Sequence, residues 1–135
     1  MDNSRVSIVI LNWNGKNDTV ECLDSLKKIT YTNYEVILVD NGSTDGSVER
    51  FKQLYPGIEI IENEKNLGCA EGNNIAVRRA VERGTDYILL LSNDTVVHPD
   101  FLTELVNVLK NDPSIGVFGP TVYYYSVKNR IQSAG

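Results

Sequence analysis

The 135-residue sequence predicts an α/β domain of three layers, with a mostly parallel sheet between two sets of helices. Apolar runs rich in β-branched residues recur along the chain and are near-continuous, the pattern of parallel strands covered on both faces. Segments with apolar residues at helical spacing separate them, so strand and helix alternate. Composition agrees: 41% hydrophobic and 23% charged residues suit a globular chain that buries a core, at a length fitting one domain.

The predicted strands run over Val6–Leu11, Val36–Val39, Ile58–Ile61 and Tyr87–Leu91, with a shorter fifth at Ile115–Phe118. The first helix carries Val20, Leu23 and Leu26, and Asp18 and Glu21 are spaced as a capping box. A second places Val48, Phe51, Leu54 and Tyr55 on one face and stops at Pro56-Gly57. The third runs from about Cys69 to Arg83, with Val77, Ala80 and Val81 facing inward and Gly84 as its stop. His98-Pro99 opens the last, with proline in the first helical position, and Pro113 ends it after Phe101, Leu102, Leu105, Val106 and Leu109.

A formal net charge of −5 argues against nonspecific nucleic-acid binding, which needs Lys and Arg to neutralise phosphates. It leaves room for a phosphorylated small molecule, because a bound metal ion supplies local positive charge. Cys22 and Cys69 form no metal-binding pattern and read as two small buried thiols, compatible with a reducing cytoplasm. The apolar run near the N-terminus is too short for a signal peptide or membrane span.

In a parallel α/β sheet, ligands gather at the carboxyl ends of the strands. Four such ends are rich in Asn, Asp, Gly and Ser: Asn12-Trp13-Asn14-Gly15, Asp40-Asn41-Gly42-Ser43, Glu62 to Gly68, and Ser92-Asn93-Asp94-Thr95. Turn formation alone accounts for any one of them, but less well for all four together. Asp94 follows a buried strand and is placed either to cap a turn or to ligate Mg²⁺ or Mn²⁺ alongside phosphate oxygens and water. Asp40 or Asn41 suits a base edge or a ribose hydroxyl, while Ser43 or Asp45 suits the cap of the next helix. A dinucleotide site is disfavoured, because the first loop has a single glycine. Asn66-Leu67-Gly68 opens the third helix, and Gly72 within it implies close approach by a ligand or a neighbouring backbone. His98, the only histidine, reads as the start of a helix rather than a metal ligand.

The segments VSIVILNWNG (6–15), YEVILVDNGSTDGS (34–47), NEKNLGCAEGNN (63–74) and DYILLLSNDTVVHPDFL (86–102) together resemble glycosyltransferase family 2, over nearly the whole chain from Val6 to Gly135. The wording is most similar to a rhamnosyltransferase-like subgroup acting in polysaccharide or O-antigen assembly. The resemblance implies a Rossmann-like GT-A fold, here truncated at the C-terminus, with residues 1–135 forming an incomplete nucleotide-sugar-binding domain. It places Leu11, Asn12, Trp13 and Asn14 at the base and ribose, and Asp40, Asn41 and Gly42 at the base, usually uracil or thymine. Asn66, Gly68 and Asn73 would shape the wall near ribose and phosphates. The Asp-x-Asp metal motif falls on Ser92, Asn93 and Asp94, so the resemblance counts Asn93 with the nucleotide-binding residues and leaves Asp94 alone with the carboxylate for a divalent cation.

The implied reaction transfers a sugar from a UDP- or dTDP-sugar to a hydroxyl of a carbohydrate or glycolipid acceptor, with inversion. A carboxylate must act as general base, and no convincing candidate lies between Pro120 and Gly135; Asp100 and Glu104 fall on a surface helix. The expectation is therefore a donor-binding fragment, in the cytoplasm or at the inner face of the membrane, that lacks the acceptor region. Tyr123-Tyr124-Tyr125 would then drive self-association at the exposed edge. A nucleotidyltransferase would need a glycine- and basic-rich first loop, which is missing. A noncatalytic nucleotide-sugar-binding module is the alternative, favoured by Ser92 where an acid is expected.

Overall fold

The computed structural model describes residues 3–134. Gly135, where the resembling stretch ends, lies outside them. Strands β1 (Val6–Asn12), β2 (Tyr34–Asp40), β3 (Glu59–Glu62) and β4 (Tyr87–Ser92) form one parallel sheet in the order β3-β2-β1-β4. These are the four long predicted strands, with ends shifted by a residue or two. Helices α1 (Lys16–Leu26), α2 (Ser47–Leu54) and α4 (Phe101–Asn111) cover one face, and α3 (Cys69–Glu82) covers the other.

Alternation along each strand divides the core in two. Ile8, Ile10 and Leu38 meet Cys22, Leu23, Leu26, Phe51, Leu102 and Val106 on the three-helix face. Val9, Ile37 and Val39 meet Ala76 and Ala80 on the other. The buried stripe of α3 is Gly72, Ala76 and Ala80, spaced four apart, so only small residues separate helix from sheet. This corrects the inward assignment of Val77 and Val81: they lie about 100° further round, Val77 half-buried and Val81 exposed.

Other expectations change as well. Ile115–Phe118 is not a strand; it runs irregularly past the end of α4, and Val117 is 95% exposed. An apolar run becomes a strand only where a partner completes its hydrogen bonds. The described chain instead closes with an antiparallel pair, β5 (Thr121–Tyr123) and β6 (Ile131–Ala134). No capping box opens α1: Gly15 is the N-cap, no side chain caps it, and Asp18 already lies in the first turn. Pro99 precedes α4 in a turn where the Phe101 amide donates to the His98 carbonyl at 3.1 Å. Cys22 is buried but Cys69 is exposed, because it begins α3 at the sheet's rim.

At the amino ends of the strands Glu35 gathers the Ser7 hydroxyl at 2.7 Å, Arg83 at 2.8 Å and Arg5 at 3.1 Å. Arg79 pairs with Glu59 at 3.0 Å, so this cluster ties β1, β2 and β3 to α3. Burial pushes the Glu35 carboxyl up, but the Ser7 hydroxyl and the two guanidiniums outweigh it and hold the group below the ordinary glutamate value.

The carboxyl ends are aligned by register. Asn12, Asp40 and Glu62 form one row across β1, β2 and β3, and Ser92 pairs with Leu11 one residue earlier. The chain proceeds from β1 outward to β3 and then crosses to β4 on the other side of β1. The β1 and β4 loops leave neighbouring strands and both lead to helices on the three-helix face, so they meet at the carboxyl edge of the sheet, where parallel sheets bind ligands.

Candidate donor site at the strand ends

The β1 and β2 loops interlock through buried polar groups. Asn12 is fully buried and Asp40 is 2% exposed. The Asn12 amide donates to Asp40 Oδ1 at 2.8 Å and to Ser43 Oγ at 3.1 Å. Asp40 Oδ2 accepts from the Ser43 amide at 2.8 Å, which closes the turn. Above this floor, Asn14 adopts φ 51°, a left-handed conformation that asparagine tolerates. Its amide donates to Ser43 Oγ at 2.9 Å and its side-chain oxygen accepts from the Thr44 amide at 2.8 Å. Neither Ser43 nor Asp45 is the N-cap of α2, which is Gly46; Asp45, one residue before it, accepts from the Ser47 amide at 3.0 Å and from the Lys16 amide at 3.2 Å. Burial raises the Asp45 carboxyl, but these bonds and the Ser47 hydroxyl hold it below the usual aspartate value.

Asn41 performs the same task for the third loop. Its amide nitrogen donates to Asn66 Oδ1 at 3.0 Å and to the Gly68 carbonyl at 3.2 Å. Its oxygen accepts from Asn63 Nδ2 at 3.1 Å and from the Leu67 amide at 3.2 Å. All four bonding positions of this 1% exposed amide are occupied by protein. Gly42 has φ 77°, and a Cβ there would stand 2.8 Å from Lys65 Cα, so the two loops touch backbone to backbone. Asn66 does not cap α3; its oxygen accepts from the Gly68 amide at 2.8 Å, and Gly68, at φ 84°, turns the chain into the helix. Asn73 bonds back along α3 to the Cys69 carbonyl at 2.9 Å. The crowding at Gly72 comes from a side chain: its Cβ would meet Leu11 Cδ1 at 2.6 Å.

The β4 loop rests on α1. Asn93 Nδ2 donates to Thr19 Oγ1 at 3.0 Å, and Thr19 donates to Asn12 Oδ1 at 2.8 Å. Gly15 makes room, since a Cβ there would be 2.7 Å from Asn93 Nδ2. Further along α1, the Cys22 thiol lies 3.8 Å from the Ser92 carbonyl and Ser25 Oγ accepts from the Val97 amide at 3.2 Å. Burial pushes the Cys22 thiol up to about 11, so it stays protonated and donates. Asp94 is exposed, and its Oδ1 accepts from the Ser92 hydroxyl at 2.6 Å. Thr95 Oγ1 donates to the Ser92 carbonyl at 2.7 Å and tightens the turn.

The sequence-predicted residues thus separate into two sets. Asn12, Asp40 and Asn41 are built into the floor, and Asn73 bonds within its own helix. Trp13, Asn14, Asn66, Gly68 and Asp94 are exposed, with Leu11, Gly42 and Asn93 half-buried. Thr19 was missed, because a threonine inside a helix pattern carries no distinctive signal. Its spacing of three from Cys22 and of six from Ser25 marks a line of small polar groups on the buried side of α1. Clefts of about 510 Å³ and about 550 Å³ open elsewhere, one at the amino ends of β2 and β3 and one between β4 and α4. Neither includes a residue of the four strand-end loops.

Among the described residues no three His, Cys, Asp or Glu side chains converge on a metal position. That donor set fits a cation held by one carboxylate, as Mg²⁺ often is when substrate phosphates and water supply the remaining oxygens. Asp94 offers one exposed carboxylate there, its Oδ1 accepting from the Ser92 hydroxyl.

A family model described as Glycosyl transferase family 2 matches residues 7–134. The chain belongs to glycosyltransferase family 2. It is 32% identical over 110 residues to an uncharacterised glycosyltransferase of Haemophilus influenzae, covering 82% of this chain and 36% of that protein. Among solved structures it resembles the mannosyltransferase PcManGT of Pyrobaculum calidifontis, in complex with GDP-Man and Mn²⁺. That match has a TM-score of 0.72 and 28% identity, and covers 83% of this chain and 34% of that one. It also resembles S. aureus TarS 1-349 in complex with UDP-GlcNAc, with TM-score 0.73 and 22% identity over 89% of this chain and 37% of that one. The family 2 sheet is thus the GT-A arrangement of these enzymes, and the chain spans little more than a third of each of these proteins. No described helix is long and apolar enough to cross a membrane.

Proposed function

We propose that this family 2 chain holds the diphosphate sugar donor of an inverting glycosyltransferase at the carboxyl edge of the sheet, where the β1 and β4 loops meet. The observation that carries the reading is the linkage through Asn12, Thr19 and Asn93, which fastens the loop carrying exposed Asp94 to the strand that leads into exposed Trp13 and Asn14. Trp13 offers an aromatic face to base or ribose. Leu11, Gly42, Asn66, Gly68 and Asn73 shape the wall, and buried Asn12, Asp40 and Asn41 fix its form.

A divalent cation, Mg²⁺ or Mn²⁺, would be held by Asp94 and would neutralise charge on the departing diphosphate. The Mn²⁺ in the PcManGT complex supports this assignment. The donor in this reading is a UDP- or dTDP-sugar; GDP is the rival suggested by the GDP-Man of that complex. The rhamnosyl or hexosyl character of the sugar, a carbohydrate or glycolipid acceptor, and work at the cytoplasmic face of a membrane in polysaccharide assembly belong to the same proposal. So does the assignment of residues 1–135 to donor binding, with acceptor and general base outside them, and with self-association through Tyr123–Tyr125.

Calorimetry with UDP, dTDP and GDP, with and without Mn²⁺, tests the reading. One nucleotide is expected to bind more tightly with Mn²⁺, and Asp94→Ala is expected to abolish the increment. Binding that ignores both Mn²⁺ and Asp94 would favour a noncatalytic module that grips the nucleotide alone.

A further inference from the structure

We infer that Thr19 is a positioning residue for the donor site, holding the Ser92–Thr95 loop to the floor formed by β1 and β2; this rests on the donor reading above. The hydroxyl is fully buried and uses both of its capacities. It donates to Asn12 Oδ1 at 2.8 Å and accepts from Asn93 Nδ2 at 3.0 Å. Asn12 passes the connection to Asp40 at 2.8 Å, so one chain of bonds runs from the β2 turn to the residue preceding Asp94.

No other side chain of the cluster joins the β1–β2 floor to the β4 loop in this way. Asn12 reaches β2 but not β4, and Asn93 reaches α1 but not β2. Cys22 and Ser25 fasten the Ser92 carbonyl and the Val97 amide to the same side of α1, so Thr19 is the end of a line of three tethers. Removing its hydroxyl leaves the Asn93 amide free to leave the floor, while the β4 strand stays paired to β1 from Val6 to Leu11. The expected defect is local, affecting where Asp94 stands rather than whether the sheet forms.

The test uses Thr19→Val, which keeps shape and removes the hydroxyl, Thr19→Ser, which restores it, and Asn93→Ala, which cuts the same bond from the exposed side. Amide exchange at Asn93–Thr95 is expected to rise about tenfold in Thr19→Val, the equivalent of one buried hydrogen bond, with β1 and β2 unchanged. The Mn²⁺ increment in UDP affinity is expected to fall about tenfold in Thr19→Val and in Asn93→Ala, with no further loss in the double variant. Metal-free UDP affinity is expected to fall less than the increment in Thr19→Val, and Thr19→Ser should recover the increment.

Unchanged loop exchange and an unchanged increment in Thr19→Val would overturn the inference. So would equal losses of metal-free and metal-assisted binding in Thr19→Val, or full additivity in the double variant. If Thr19→Val does not fold, Asn93→Ala alone decides the matter. A parent chain whose affinity ignores Mn²⁺ fails the donor reading instead and removes the functional half of the inference, while exchange still decides whether the tether exists.

Discussion

Asn12 and Asp40 are register partners on neighbouring parallel strands, and their side chains meet at 2.8 Å in the row where the strands end. A buried amide and a buried carboxylate each require a partner, and here each supplies the other's. Both continue the side of the sheet that carries Ile8, Ile10 and Leu38, so the apolar core ends directly in a polar floor.

The first prediction concerns that floor. Asn12→Ala leaves Asp40 Oδ1 without a partner and the Thr19 hydroxyl without an acceptor, though Asn93 still donates to it, with an expected loss of about 2–4 kcal/mol for the two buried groups. Urea unfolding of the variant measures it. A change within about 0.5 kcal/mol, the range of ordinary surface substitutions, would mean that water replaces the amide without penalty.

Gly42 and Gly46 share nearly the same backbone angle, φ 77° and 78°, but not the same surroundings. A Cβ on Gly42 meets Lys65 backbone at 2.8 Å, whereas one on Gly46 meets nothing nearer than the end of the flexible Lys16 side chain, Nζ, at 3.9 Å. Each alanine substitution carries the conformational penalty of about 1–3 kcal/mol, and Gly42→Ala is expected to lose more. Thermal unfolding of the two variants side by side isolates the contact between loops two and three. Equal losses would show that Lys65 moves aside freely.

Much of this was legible in the sequence, and the exceptions have physical causes. Four strands could be read because β-branched runs buried on both faces leave little ambiguity. Ile115–Phe118 looks similar in composition but has no strand partner in the described fold, and pairing is not written in a single segment. The inward side of α3 was misread because valines attract attention, while Gly72, Ala76 and Ala80 bury their face by being small. At the site, the loops were visible from their Asn, Asp and Gly content. Which of those residues turn inward depends on register, and Asn41 is saturated by contacts with residues 22 to 27 positions away. Thr19 has the same difficulty, since its partner Asn93 is 74 residues distant.

Thiol chemistry distinguishes the two cysteines. Cys69 is exposed, while Cys22 is buried and pushed up to about 11. An aromatic disulfide reagent at pH 8 is expected to modify one thiol of the folded chain, Cys69, and to reach Cys22 only after denaturation. Rapid reaction of two thiols, or rapid reaction of the remaining thiol in folded Cys69→Ser, would show that the contact under Ser92 opens readily.

Acid lability should trace to Glu35. Its folded-state value lies below the ordinary glutamate value, so the stabilisation it provides is complete above the unfolded value, near 4.3. It is lost as pH falls through the lower, folded value. Glu35→Gln is therefore expected to be less stable than the parent at pH 7 and to show a flatter decline below about pH 4.5. Parallel curves for the two proteins would place the acid-sensitive group elsewhere, with Asp45 the next candidate.

The most direct test of the central claim is the location of bound nucleotide, read from amide chemical-shift changes when UDP and Mg²⁺ are added to the ¹⁵N-labelled chain. The account expects the largest changes at Trp13, Asn14, Gly42, Asn66–Asn73 and Asn93–Thr95, with those at Asn93–Thr95 requiring the metal. Changes centred instead on Tyr34, Tyr55 and Arg83, around the cleft at the opposite ends of the strands, would contradict it.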